Sequence, residues 1–343
     1  MSAVMDERAV VVDDFDPFAG SAVERVIATT EAQRELWLGD QLAAEASLAF
    51  NESTVLRMRG TLDTEALAAA MAAVVARHES LRATISPDGM QLLVAAPGAF
   101  AVPTVDLRPL TPEAQVKALA QAGEAAVLER FSLSDGPLFR ARLFMLSPTE
   151  HVLMMTAHHA ICDGWSWGVI VQDLGELYAE QLGLGPSLPA PQAQYSDFSR
   201  WEAEEAEGPD MRAHEAYWQS RFSGSLPVLD LPVDRPRAPV RSFNARRIDH
   251  TIGSELAVAV RKLGSSLGQS LFSTLLGAFA ATVHRVTEQE DLVVGIASAG
   301  QLASGMPGLV GHCVNVLPLR FAVEGKMPFD QLARQAAGTL LDA

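Results

Sequence analysis

The sequence predicts an α/β protein in two parts, each layering helices on a mixed or largely antiparallel sheet. Stretches with the two-residue alternation of strands give way repeatedly to stretches with helical spacing. The 343 residues suffice for one large core or two smaller ones. A glycine- and proline-rich run at 183–194 interrupts the chain near its middle. The expected division is a lead-in over 1–27, a first subdomain over 28–182, a linker over 183–194 and a second subdomain over 195–343. With 48% hydrophobic and 20% charged residues, the composition is that of an ordinary globular chain, so disorder is not the default.

Within the lead-in, Val10, Val11 and Val12 suit a short strand. Thr30 is placed to cap the first helix, Gln33 completes a capping box, and Leu36, Trp37 and Leu42 supply an apolar flank. Thr54, Leu56 and Met58 alternate with Val55, Arg57 and Arg59 as in a strand with one half-polar face. Asp63 caps the next helix, whose buried stripe is Leu67, Met71, Val74 and Val75. Short strands at 81–85 and 91–94 flank the turn Pro87-Asp88-Gly89. Thr111-Pro112-Glu113 is a cap, a proline at the first helical position and an acid in the first turn, and starts a helix reaching 129. Strands at 138–146 and 152–156 read as an antiparallel pair, the second delivering the chain to His158. Ser166 is expected to cap a helix carrying Val169, Ile170, Leu174 and Leu177.

After the linker come a solvated helix end at 202–207, a helix at 213–221 and a proline-punctuated crossing at 226–239. A strand near 246–252, a helix from Ser254 and an apolar helix over 270–286 follow. A strand at 292–296, a loop at Ala299-Gly300-Gln301, a strand at 314–321 and a helix at 329–340 complete the chain, with no internal repeat.

A formal charge of −16 and no local basic stripe argue against a nucleic-acid partner. Cys162 and Cys313 fit no zinc spacing and suit a reducing compartment. The acidic opening, broken by Pro17, has no signal pattern, and no stretch is apolar for long enough to span a bilayer, so the expected location is the cytoplasm, away from membranes.

The segment His158-His159-Ala160-Ile161-Cys162-Asp163-Gly164 has the residues of an acyl-transfer centre. Neighbours leaving a strand point to opposite faces, so the two histidines divide their work, one supporting the fold and the other reaching open space. Imidazole exchanges protons near neutrality and suits acid-base or positioning work. Asp163 and Gly164 complete a compact loop before Trp165. A metal site is set aside, because no HExxH helix or nearby third ligand is present. A purely structural histidine pair stays open at this point. Ser166 lacks the surroundings of a nucleophile elbow, and Cys162 reads as a small buried side chain without an activating base.

Extended through Trp165 and Ser166, this segment resembles the HHxxxDG signature of condensation domains in nonribosomal peptide synthetases, relatives of chloramphenicol acetyltransferase. Four other segments carry the same resemblance: Thr30-Glu31-Ala32-Gln33 with Leu36-Trp37, Arg77-His78-Glu79-Ser80-Leu81-Arg82, Tyr195-Ser196-Asp197-Phe198 with Trp201, and Gly311-His312-Cys313-Val314-Asn315. The resemblance implies two chloramphenicol-acetyltransferase-like subdomains with a substrate passage between them. It implies amide formation between an acyl or peptidyl thioester donor and an aminoacyl acceptor. Both substrates ride on phosphopantetheine arms of donor and acceptor carrier proteins, so no metal or directly bound cofactor is required. An upstream polyketide synthase or peptide synthetase module is a further expected partner, since residues 47–53 resemble those of mixed assembly lines.

By position, the resemblance makes His159 the histidine that meets the substrates, with His158 supporting it. It implies a salt bridge between Asp163 and an arginine, with Arg82 the first choice and Arg235 the alternative. Gly164 serves the loop backbone or offers its amide to the developing oxyanion. Trp165 and Asn315 are candidates for lining the passage. The family's members continue beyond the point where this chain stops, so the second subdomain is expected to be incomplete, with exposed sheet edges. An aminoacyl epimerisation domain, kept in view by Trp167, and a non-catalytic carrier-docking fragment are the competing readings. Heterocyclisation would need a paired-aspartate motif that is absent.

Overall fold

The computed structural model describes residues 23–239, 242, 243, 245 and 247–343. The strand expected at Val10 to Val12 lies outside them. The chain divides into two compact units: the described residues up to Arg200 together with Met306–His312, and Trp201–Gly305 together with Cys313–Ala343. Two boundaries differ from the sequence reading. The division falls at Arg200, beyond the glycine- and proline-rich run. A short segment from late in the chain also returns to the first unit, a connection that local sequence patterns do not encode.

The first unit holds two sheets. One is antiparallel, in the order β1 (Val23–Ala28), β4 (Gln91–Ala95), β3 (Ala83–Ile85). The other runs β2 (Asn51–Arg59), β7 (Glu150–His158), β6 (Phe139–Ser147), β5 (Thr104–Asp106), antiparallel except for the β5–β6 pair. The three-residue β5 is too short to show periodicity, and β1 falls partly inside the expected lead-in. In place of a strand start at Leu81 there is a 3₁₀ turn, Glu79–Arg82.

Helix α1 (Glu31–Leu42) follows its capping box, with Thr30 and Gln33 satisfying each other's backbone donors. Of its expected apolar flank, Leu36 and Trp37 are half-buried, the Trp37 ring packed on Gly89. Leu42 is exposed, whereas Gln33 and Asp40 are buried. Helix α2 is the single turn Ala44–Leu48. Asp63 caps α3 (Thr64–Arg77) and Thr111 caps α4 (Pro112–Leu128), both as expected. Strand β7 is buried along nearly its whole length, so His158 emerges from the centre of the sheet. Helix α5 (Gly164–Gln181) leaves the motif loop with Asp163 as its cap. Ser166, expected in that role, is the residue receiving the cap. Two residues compete for one position, and the carboxylate, accepting from the Ser166 N–H three residues on, takes it.

Helix α6 (Tyr195–Ala206) crosses the division between units and is followed by α7 (Pro209–Arg221). In the second unit, residues 247–253 form no strand, correcting the expectation near 246–252. Helices α8 (Ser254–Ser266) and α9 (Leu271–Thr287) lead to β8 (Asp291–Ala299), which contains Gly295. A four-residue helix, α10 (Gly300–Ala303), replaces the loop expected there. Strand β9 (Val314–Ala322) pairs antiparallel with β8, and α11 (Phe329–Asp342) covers the pair beside α9. Leu276, Ala280, Val283, Leu292, Leu319, Phe321, Leu332 and Ala336 form this core. Gly277 lets α9 and α11 approach closely, since a Cβ there would sit 3.2 Å from the Ala333 Cα.

Among the described residues no single helix is long and apolar enough to cross a membrane. Phe321 is fully buried in the second unit's core. Phe321→Ala should therefore cost about 3–5 kcal/mol of that unit's stability, read by urea denaturation.

Candidate functional site

The motif loop lies wholly within the first unit. Strand β7 ends at His158, whose backbone N–H donates to the Leu138 carbonyl at 2.9 Å. The next N–H, from His159, donates to the Phe50 carbonyl at 2.8 Å. The two side chains part there. His158 is completely buried, edge-on to the rings of Phe50 and Phe131. Its Nδ1 accepts the Ala160 N–H at 3.2 Å, so the ring proton of the neutral form sits on Nε2, which faces Asp40 Oδ1 at 4.0 Å. Burial lowers the pKa of His158 to about 4 despite the Asp40 carboxylate. Asp40 is buried as well, its other oxygen taking the Arg130 guanidinium at 3.4 Å. Gln33 steadies the same loop by donating to the Ala160 carbonyl at 2.8 Å. The buried polar face of α1 thus serves the motif loop.

His159 is 25% exposed. Its Nδ1 lies 2.8 Å from the Cys162 carbonyl, which can only accept, so Nδ1 carries the proton and Nε2 keeps its lone pair. Glu52 of β2 places Oε1 3.5 Å from that Nε2, and the ring of His312 stands edge-on to His159 with centroids 4.7 Å apart. Burial, then the neighbouring His159, lowers the pKa of His312 to about 4. Cys162 is fully buried, and burial together with the Glu52 and Asp163 charges pushes its thiol well above its ordinary pKa, which keeps it un-ionised.

Asp163 is also fully buried. Its Oδ1 accepts the Ser166 backbone N–H at 2.8 Å and the Ser166 hydroxyl at 2.7 Å, and Ser166 Oγ in turn accepts the Gly311 N–H at 3.0 Å. This relay fixes the returning segment, residues 306–312, against the motif loop. Trp165 donates its indole N–H to the Pro307 carbonyl at 2.8 Å, and Tyr195 donates to the His312 carbonyl at 2.7 Å. Gly311 packs on the Tyr195 ring so closely that a Cβ there would lie 2.0 Å from it. Trp165, expected to line the passage, is half-buried against this segment. Gly164 opens α5 and is exposed, and a Cβ there would meet no protein atom within 4 Å. The local backbone does not require glycine at that point, contrary to the expectation of an unusual path.

The pairing expected between Arg82 and Asp163 is corrected. Arg82 binds Glu24 at 2.8 Å and the Ala95 carbonyl, because the 3₁₀ turn directs it toward the β1–β4 sheet. Arg235 belongs to the second unit and is exposed. Asn315, also in the second unit, begins β9 beside Val314, is exposed, and turns its side-chain oxygen to the Val316 N–H at 2.7 Å. The sequence reading missed Glu52, Asp40 and the position of His312. Glu52 enters the sequence reading only within the 47–53 segment, and nothing local links it to His159. Among the described residues no group of three histidine, cysteine, aspartate or glutamate side chains could hold a metal ion.

The Condensation domain family model matches residues 23–343. The chain belongs to the condensation-domain family. This condensation domain is 35% identical to a chondramide synthase of Chondromyces crocatus over 93% of its own length, but spans only 8% of that relative. It is 33% identical to phosphinothricin tripeptide synthetase PhsC of Streptomyces viridochromogenes, covering 91% of this chain and 29% of that one. The crystal structure of SgcC5 from Streptomyces globisporus is similar, with a TM-score of 0.76, 29% identity and coverage of 91% of this chain and 71% of that one. The first condensation domain of the CDA synthetase shares the fold, with a TM-score of 0.78 at 21% identity, over 93% of this chain and 74% of that one. The two-subdomain α/β architecture with mixed and antiparallel sheets is the chloramphenicol-acetyltransferase-like one.

Two outcomes test the loop. Asp163→Ala removes a helix cap and a buried acceptor together, and should cost about 2–4 kcal/mol in thermal or urea unfolding. His158 and His312 bind protons near pH 4 when folded but near their ordinary 6.5 when unfolded. The unfolded chain therefore takes up protons first, and stability should be full above pH 6.5 and lost as pH falls toward 4. Unfolding midpoints across that window check this, and the slope should lessen in His312→Asn.

Proposed function

We propose that this domain forms an amide bond between an acyl or peptidyl thioester donor and an aminoacyl thioester acceptor, each presented on the phosphopantetheine arm of a carrier protein. The observation that carries this reading is His159. It is the exposed member of the histidine pair, its Nδ1–H is committed to the Cys162 carbonyl, and its Nε2 lone pair is free to receive a proton. A thioester is already activated, so the domain has to align the amine with the carbonyl and manage charge. Holding the reacting groups in line supplies effective concentration.

The amine nitrogen attacks the thioester carbonyl and passes its proton to His159 Nε2. The tetrahedral state then collapses, and the proton leaves with the departing thiolate as a thiol. Gly164, exposed at the start of α5, offers a helix-terminal N–H to the developing oxyanion, and the missing side chain leaves room for the reacting carbonyl. Asp163 keeps the loop in shape through Ser166, and His158 supports it as a buried neutral base. Asn315 is proposed to meet the pantetheine or acyl group. Donor and acceptor carrier domains, with an upstream polyketide or peptide module, are the proposed partners, in the cytoplasm.

The test supplies loaded donor and acceptor carrier proteins and follows the joined product. His159→Ala should reduce amide formation at least a hundredfold while carrier binding persists. Full turnover by that variant would sink the assignment, and exchange of the acceptor's α-proton without a joined product would favour epimerisation.

A further inference from the structure

We propose that Glu52 is a positioning residue for His159, holding the Nε2 edge of its imidazole and stabilising the imidazolium that forms as the amine is deprotonated. This rests on the functional reading above.

Because Nδ1 donates to the Cys162 carbonyl at 2.8 Å, Nε2 of the neutral ring is an acceptor, and Glu52 Oε1 faces it at 3.5 Å. Two acceptors so placed gain nothing from each other. Once a proton sits on Nε2, the same contact becomes an ion pair that closes to a charge-assisted hydrogen bond as it shortens. The pairing therefore favours the protonated state over the resting one, and an interaction of that kind lowers a barrier instead of tightening the ground state.

The carboxylate is held for this purpose. Glu52 lies on β2 opposite Ala157 of β7, one residue before the histidine pair. Its Oε2 accepts the Trp167 indole N–H at 3.2 Å, and the Trp167 ring is itself flanked by Phe139 at 6.3 Å between centroids. Strand β2 thus delivers the acid, and α5 clamps its second oxygen. Glu52 is 30% exposed and His159 25%, so solvent weakens the pair without dissolving it. The other titratable groups around His159 do not duplicate the role. His312 and His158 are buried and neutral, the Cys162 thiol stays un-ionised, and Asp163 is turned to Ser166.

The experiment titrates the whole chain, labelled with ¹⁵N-histidine, by two-bond ¹H–¹⁵N spectroscopy, with His159→Ala identifying the resonances. Glu52→Gln keeps shape and hydrogen-bonding capacity but removes the charge. It should lower the His159 midpoint by about one pH unit, a tenfold loss of proton affinity. Glu52→Asp should shift it less. The acid limb of kcat/KM should move down with the midpoint, and the plateau of kcat should fall by up to about tenfold, the limit of complete proton transfer in the Brønsted relation. A Glu52→Gln midpoint within about 0.2 units of the parent overturns the proposal. So does an unmoved midpoint accompanied by a raised KM for the acceptor, which would place Glu52 on the amine. A shifted midpoint with a fully active His159→Ala overturns the functional reading and leaves the ion pair standing.

Discussion

The centre of this domain depends on one buried hydrogen-bond relay, Asp163 to Ser166 to Gly311. A carboxylate removed from water must be satisfied by neighbours, and here the first turn of α5 does so. Ser166 extends the satisfaction across 145 positions of sequence to the Gly311 backbone. The loop's shape, the direction of His159 and the position of His312 follow from that arrangement. Asp163 is in this sense a fastener whose value lies in what it keeps still.

On this frame, burial divides the histidines. His158 and His312 are enclosed and remain neutral, while His159, edge-on to the His312 ring, retains solvent and an acidic neighbour. Burial thus lowers the proton affinity of two imidazoles whose intrinsic basicity is ordinary. Two uncharged rings near His159 add no competing positive charge, and Glu52 faces its Nε2 at 3.5 Å.

Much of the first unit is legible in the sequence because its signals are local. Thr30 with Gln33, Asp63, and Thr111 with Pro112 each announce a helix start within four residues. The β6–β7 pair shows in two apolar runs and in the polar turn between them. Legibility ends where partners are distant. Ser166 and Asp163 are both good caps by composition, and only three-dimensional placement decides between them. Resemblance matches Arg82 to Asp163, whereas the turn that carries it points to Glu24. The apolar residues of α1 do not reveal that Gln33 and Asp40 are its buried positions, held there by hydrogen bonds. Glu52 is invisible because a strand's polar face carries no mark of what it opposes.

The return of Met306–His312 to the first unit also bears on how the domain is made and exchanged. A ribosome that has released the chain as far as Arg200 has not yet supplied Gly311 or His312, so the reactive loop must wait for more than a hundred further residues before its last hydrogen bonds can close. Inheritance is linked in the same way. A recombination event that transfers the first two hundred residues as a block leaves behind seven that belong with them. Segments well separated in the gene therefore meet at this centre, and the compact unit they build is discontinuous.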